Sequence, residues 1–319
     1  MKILLVLTLI GLVDYTYQSG WSYDYQTQWP GLCRGGQLQS PINIMTRDAI
    51  FDKHEAHIRG PLVMRGYGDV KVTAINNGHT LRWKVKPDTE APVLSGGPLR
   101  GNYTFLQFHL HWLSEHAIDG MKYPMEIHMV HVKTGVPVDE ALKRPDGLAV
   151  IGVMCQIYSN EESQFALEQI MPAVPDLASR SEEETDPKNI DLRRLLSPNP
   201  QSYYTYHGSL TTPDCQESVT WIVMDKPLII ADTQYQVFSK VDVGGRDNYR
   251  NLQQVNRVVY RSVASCSTIL MPSFFGTIIS LISCLSSSLT AGVNKGYCYI
   301  VNIKRRLLGS TVKKCAKLA

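Results

Sequence analysis

Residues 107–112 read Gln-Phe-His-Leu-His-Trp, two histidines alternating with bulky apolar residues. A buried imidazole without a partner costs roughly 1–3 kcal/mol, so two of them on one strand face suggest a shared partner. In an extended strand, residues i and i+2 point to the same face. His109 and His111 are therefore neighbours, with Phe108 and Leu110 opposite. A second run, Met-Glu-Ile-His-Met-Val-His at 125–131, sets Glu126 and His128 on one face and Met125, Ile127 and Met129 on the other. Pairing of the two strands would bring three imidazoles together. Three nitrogen ligands leave the fourth position of a zinc tetrahedron open for water, which is the catalytic form of such a site. Gln107 and Glu126 could each accept the second ring N–H of a ligand and so fix its tautomer. His131, three residues beyond His128, falls on the opposite face and reads as structural. The alternative for every one of these histidines is an ordinary satisfied core residue.

The elements that must position these residues read as short strands separated by Gly, Pro and Asn. Residues 68–85 alternate and turn at Asn77-Gly78, a hairpin signal. Residues 103–112, 125–132, 148–158 and 218–224 are further strands, several of them buried on both faces. Helical patterns are few, at about 161–171, 189–195 and 233–240. The fold class expected is mainly β with short helices, in a single domain over 20–264. The chain has 319 residues and a formal net charge of +3, so composition makes no case for nucleic-acid binding. It contains no Gly-rich phosphate loop, no long heptad run, no internal repeat and no His-Glu-x-x-His protease motif.

Both ends differ from the middle. One lysine followed by an apolar run from Ile3 to Val13 reads as a secretory signal, residues 1–19. The tail, 265–319, carries an uncharged apolar stretch with a candidate membrane span at 269–289, followed by seven basic residues and no acid. Pro272 and the serine run at 286–288 weaken a span. A lipid-anchor signal and a segment unrelated to the fold are the other two readings of this tail.

The two histidine motifs resemble the signature of the α-class carbonic anhydrases, and the likeness runs from about Trp21 to Ser262. It takes in residues 39–44 (QSPINI), 76–79 (NNGH), 114–116 (SEH), 147–153 (GLAVIGV), 208–215 (GSLTTPDC), 219–223 (VTWIV) and 248–253 (NYRNLQ), in the family's order. The resemblance implies a large central, mostly antiparallel twisted sheet with zinc at the bottom of a conical cleft. It implies Zn2+ on His109, His111 and His128, with a zinc-bound hydroxide attacking carbon dioxide to give bicarbonate. Thr211 and Glu115 would orient that hydroxide, and Thr212 would contact bicarbonate. Val130, Val150, Leu210 and Trp221 would form the apolar wall for carbon dioxide; by themselves they read as core. His79 corresponds to the proton shuttle and is expected to be mobile and wetted, with Tyr23, Asn76 and Asn77 ordering the water chain. Gln107 and Glu126 would sit behind the ligands, and the backbone carbonyl of Asn248 would hold His111.

By the same resemblance Cys33 and Cys215 form a disulfide, which an exported protein could keep. Cys155 reads as a buried free thiol, and the other four cysteines lie in the tail. Asn102 heads an Asn-Tyr-Thr glycosylation sequon. These features suggest the secretory pathway and an extracellular or cell-surface location. The expected partner is the small molecule itself, with membrane association only through the tail, in a monomer or homodimer. Three positions depart from the family pattern: the connection from Trp112 to Ser114 is reduced to Leu113 and expected on the surface, Arg82 occupies a cleft-lining position, and His207 stands where proline is common. The rival function is a non-catalytic binding ectodomain on the same fold. Inactive relatives typically lose zinc histidines, and here all three are present.

Overall fold

The long central strands are built from runs buried on both faces, with successive side chains pointing to opposite sides of the sheet. The computed structural model describes residues 20–52, 56–158, 165, 167–179, 182–245 and 247–262. The strands in chain order are β1 Asn43–Ile44, β2 Ile50–Phe51, β3 Arg59–Arg65, β4 Val70–Asn76, β5 Leu81–Val85, β6 Val93–Gly97, β7 Tyr103–His111, β8 Ala117–Ile118, β9 Met125–Lys133, β10 Leu148–Ile157, β11 Lys188–Ile190, β12 Tyr203–Gly208, β13 Val219–Met224, β14 Leu228–Ile230 and β15 Tyr260–Arg261. Thirteen of them form one sheet, in the order β11-β4-β5-β7-β9-β10-β13-β12-β15-β2, with β14 on β10 and β3 attached through β6 to β7. The sheet is mixed. β10 runs parallel to β13 and β14, and β15 parallel to β2, while the remaining ladders are antiparallel. β1 and β8 make a separate two-stranded parallel pair.

The sheet carries a hydrophobic cluster on each face. Trp83, Phe105, Phe108, Leu110, Ile127, Met129 and Ile151 belong to one, and Val130, Val150, Tyr206 and Trp221 to the other. One irregularity decides which side chains of β7 meet which cluster. The β7–β9 register slips between Phe105 and Gln107, a β-bulge, which puts an extra residue into one strand. Strict alternation would set Tyr103 and Phe105 on the face of His109. The bulge at Leu106 instead sends both aromatic rings to the first cluster and leaves Gln107, His109 and His111 on the second face.

Helices are short: α1 Val138–Ala141, α2 Val174–Ser179 and α3 Asp232–Phe238. The last agrees with the pattern at 233–240. The helix expected at 161–171 falls partly outside the described residues; of those described, Phe165 is in a 3-10 conformation. Residues 167–170 bend and turn, and the helical residues follow in a 3-10 turn at Met171–Ala173 and in α2. Pro172 and Pro175 occupy first-turn positions, where a missing N–H is tolerated. The pattern at 189–195 resolves into β11 and a 3-10 turn over Leu192–Leu195, started by Asp191 accepting from the Arg193 N–H. The hairpin at Asn77-Gly78 is present, with residues 77–80 linking β4 to β5. Leu113, the connection expected on the surface, is half-buried between buried Trp112 and Ser114, with Glu115 and His116 buried beyond it. The signal segment 1–19 and the tail with its 269–289 stretch lie outside the described residues, and among those described no helix is long and apolar enough to cross a membrane.

Candidate metal centre

β7 and β9 pair antiparallel with His109 directly opposite His128 and His111 opposite Glu126. Directly opposed residues share a face, so the three imidazoles converge. One ring nitrogen from each of His109, His111 and His128 lies within 4.8 Å of the others. The second nitrogen of every ring has its own acceptor. Gln107 Oε1 lies 3.0 Å from His109 Nδ1, the Asn248 carbonyl 2.5 Å from His111 Nδ1, and Glu126 Oε1 2.8 Å from His128 Nε2. The atoms left to face one another are Nε2 of His109, Nε2 of His111 and Nδ1 of His128. Asn248 grips β7 further: its amide donates to the Leu110 carbonyl and its Oδ1 accepts from the Trp112 N–H.

Glu126 is fully buried and takes four donors. Its Oε2 accepts from the backbone N–H groups of Glu115 and His116, and its Oε1 lies 2.8 Å from both His116 Nδ1 and His128 Nε2. Burial alone would raise its carboxyl, but the His116 and His128 rings outweigh that and hold it well below the usual carboxylate range. His116 was not anticipated as part of the site. It sits at 0% exposure, and its Nε2 reaches the Tyr206 hydroxyl at 2.6 Å. Gly152, opposite His128 on β10, was also missed. A Cβ there would come within 2.8 Å of Glu126 Oε1, so only glycine leaves the carboxylate its place.

Desolvation, then the neighbouring His111 and His128 rings and the Arg82 guanidinium, hold His109 well below the ordinary histidine range. Burial lowers His111 too, while at His128 the effect of burial is outweighed by the Glu126 carboxylate beside it, which raises that ring. Neutral imidazole is the metal-binding form. His111 Nε2 is buried with no hydrogen-bond partner, an orphan that a metal ion would satisfy. An all-nitrogen set of three, each aimed from behind, fits zinc. His116, Glu126 and His128 also lie close enough to hold an ion, but their facing atoms are committed to one another.

Glu115 Oε1 accepts from the Arg250 N–H at 2.7 Å. Its Oε2 is buried without a hydrogen-bond partner, 3.7 Å from His111 Nε2 and 3.8 Å from His128 Nδ1. Among the described residues no hydrogen bond joins Thr211 to Glu115. Thr211 is buried and Thr212 half-buried, in a segment tied by Leu210 N–H to the Gln216 carbonyl and by a disulfide between Cys33 and Cys215. Val130, Val150 and Trp221 are buried and Leu210 is packed against the same cluster. The Trp221 ring lies 4.8 Å from that of His128, and its N–H donates to the Ser209 carbonyl.

His79 sits in the 77–80 turn, half-buried, its ring stacked on Trp21 at 3.8 Å. Desolvation by burial lowers its pKa. Asn77 Oδ1 accepts from the N–H groups of His79 and Thr80. Asn76 is not free for water: it is 2% exposed, and its amide donates to the carbonyls of Leu177 and Asp242. Tyr23 is buried, and desolvation followed by the Glu115 charge holds its hydroxyl well above the ordinary range. Arg82 lies directly opposite His109 on β5, with its Nε buried and unpartnered. His207 is exposed, 3.4 Å from Thr220 Oγ1. His131 is buried on the far face: its Nδ1 donates to the Ala149 carbonyl at 3.2 Å, so its Nε2 accepts from the Tyr67 hydroxyl at 2.6 Å. Cys155 is buried and reduced, and Asn102 is exposed at the head of β7.

The family model described as eukaryotic-type carbonic anhydrase matches residues 18–263. The chain belongs to this family. It is 35% identical over 294 residues to putative carbonic anhydrase 5 of Caenorhabditis elegans, spanning 85% of this chain and 91% of that protein. It is 33% identical over 249 residues to carbonic anhydrase 7 of Homo sapiens (74% of this chain, 90% of that one). It is 35% identical over 246 residues to human carbonic anhydrase 5A, mitochondrial, spanning 72% and 77%. The mostly β fold around a large mixed sheet agrees with carbonic anhydrase membership.

Proposed function

We propose that the chain catalyses the reversible hydration of carbon dioxide to bicarbonate and a proton, with zinc held by His109, His111 and His128. The observation that carries this reading is the convergence of three ring nitrogens, each aimed by its own acceptor, with the buried His111 Nε2 unpartnered. Bound zinc supplies, at its open position, a water acid enough to serve as a nucleophile near neutral pH, chemistry for which carbonic anhydrase is itself the type case. The chain's residues do the rest. Val130, Val150, Leu210 and Trp221 give an apolar carbon dioxide molecule a dry surface. Thr211 and Thr212 offer hydroxyls to the bicarbonate oxygens. Glu115 Oε2, buried and unpaired, is an acceptor available to the Thr211 hydroxyl. His79 takes the proton outward, with Tyr23 and Asn77 beside its path.

The Cys33–Cys215 disulfide supports an oxidising compartment, hence the secretory pathway and an extracellular or cell-surface location. An active enzyme in washed membranes would make the 269–289 stretch an anchor, while activity confined to the medium would remove that role.

The test is His109→Ala, assayed for bound zinc by elemental analysis and for carbon dioxide hydration. Both should disappear together in a folded protein. Full activity in the variant would overturn the ligand assignment. A zinc-loaded wild type without hydration activity would favour the binding-ectodomain reading.

A further inference from the structure

We infer that Gly244 is a positioning residue for proton transfer, because the loop from Asp242 to Gly245 braces the turn that carries His79. This rests on the reading of His79 as the proton shuttle. Gly244 has φ +74°, and a Cβ built on it would stand 2.6 Å from the carbonyl oxygen of Gly78, the residue before His79. The positive φ favours glycine, and the close approach to a backbone oxygen excludes any side chain without movement.

The loop is poorly placed to retreat. Val241 and Val243 on either side of Asp242 are buried in the hydrophobic cluster. The Asp242 carbonyl accepts from the Asn76 amide at 2.9 Å, and Asp242 Oδ1 accepts from the Gly244 N–H at 2.9 Å. Asn76 links the two segments, since its Oδ1 also accepts from the Gly78 N–H at 3.1 Å. This explains why Asn76, expected among the water-ordering residues, is buried. The turn is held by Asn77 Oδ1 on the His79 and Thr80 N–H groups, by the Asn77 N–H on the Thr80 carbonyl, by the Thr80 hydroxyl on the Leu110 carbonyl, and by the stack of His79 on Trp21, with none of these bonds made by the Gly78 carbonyl itself. A side chain at position 244 therefore displaces Gly78 and, with it, the His79 ring. Gly245 offers a control one residue away: a Cβ there meets only ordinary contacts, the nearest at 3.5 Å.

The experiment compares Gly244→Ala, Gly245→Ala and His79→Ala in the zinc-loaded full chain. Hydration is measured across buffer concentrations, and the His79 imidazole proton resonance, shifted by the Trp21 ring, is followed by NMR. Proton transfer limits kcat rather than kcat/KM, so Gly244→Ala should lower kcat several-fold at low buffer with kcat/KM within about two-fold of wild type. Added imidazole should restore it, and the His79 resonance should move. Gly245→Ala should match wild type in both. Asp242→Ala, which loosens the loop without adding bulk, should shift both readouts in the same direction by less, and serves if Gly244→Ala does not fold. Unchanged low-buffer kcat and an unmoved His79 resonance in Gly244→Ala, or equal loss of kcat and kcat/KM, overturns the inference. If His79→Ala itself shows no buffer dependence, the shuttle reading falls and the inference with it; buffer dependence in His79→Ala alone overturns only the brace.

Discussion

The metal cluster and the His79 turn are built on opposite plans. The three imidazoles proposed as ligands lie on two central strands, directly paired, and each ring has a hydrogen-bond acceptor behind it. His79 rides a four-residue turn at the end of two strands, half-buried, held by a ring stack and by its own backbone N–H donating to Asn77 Oδ1. A ligand that moves loses its metal. A group that must collect a proton inside and release it outside needs one face packed and the other wet. The difference lies in what stands behind each imidazole: a hydrogen-bond acceptor that dictates tautomer in one case, an aromatic plane that permits either in the other.

The largest expected effect breaks the rigid half of this contrast. Glu126→Gln keeps the shape but removes a charge on which two backbone N–H groups and two imidazoles converge. Zinc affinity should fall about 10–100-fold and stability by about 3–5 kcal/mol, the usual loss when one partner of a buried charged cluster is removed. Competition with a chelator and urea unfolding measure the two. Unaltered zinc affinity would show that the ligands do not depend on what stands behind them.

Next in size is a change on the far face of β9. Burial holds His131 down at about 4, below the ordinary 6.5. Above pH 6.5 it is neutral folded or unfolded and contributes nothing to the pH dependence. As pH falls from 6.5 toward 4, the unfolded chain takes up a proton that the native ring refuses, and stability drops by up to about 3 kcal/mol. Replacing both members of the pair, Tyr67→Phe with His131→Phe, should leave stability at pH 7 within about 1 kcal/mol and flatten that acid-side loss. Urea midpoints at pH 7 and pH 4.5 read the difference, and an equally steep loss in the double variant would assign the acid sensitivity elsewhere.

The smallest effect sharpens the mobile half. Trp21→Ala removes the plane under His79, so the imidazole pKa, lowered by desolvation, should rise toward its ordinary value. An NMR titration of His79 measures this. A pKa that stays put would mean that other neighbours supply the burial.

Much of the site was legible from local alternation. His109, His111, Glu126 and His128 lie at period-two spacing, and strand geometry alone set them on one face. Gln107 and Glu126 were readable because each stands two residues from the ligand it serves. What escaped was long-range or irregular. The bulge at Leu106, without which Phe105 would share the face of the ligands, has no marker in its own sequence. His116 acquires its role only through Tyr206, 90 residues away, and through Glu126 on a strand that the sequence does not visibly fold against it. The Trp21 stack on His79 and the backbone N–H of Arg250 on Glu115 are likewise contacts that periodicity cannot announce. The helical pattern at 161–171 falls partly outside the described residues, and Pro172 and Pro175, which begin the next helical residues, lie past its end.

The carbonyl that aims His111 belongs to Asn248, 137 residues further along the chain. A ribosome adding about 5–20 residues per second delivers it about 7–30 s after the histidine. Over that interval the nascent chain holds all three imidazoles but has nothing to orient one of them, and zinc arriving then meets a loose set of donors. On the proposed ligand set, a complete and oriented group of donors exists only once the last strands have joined the sheet.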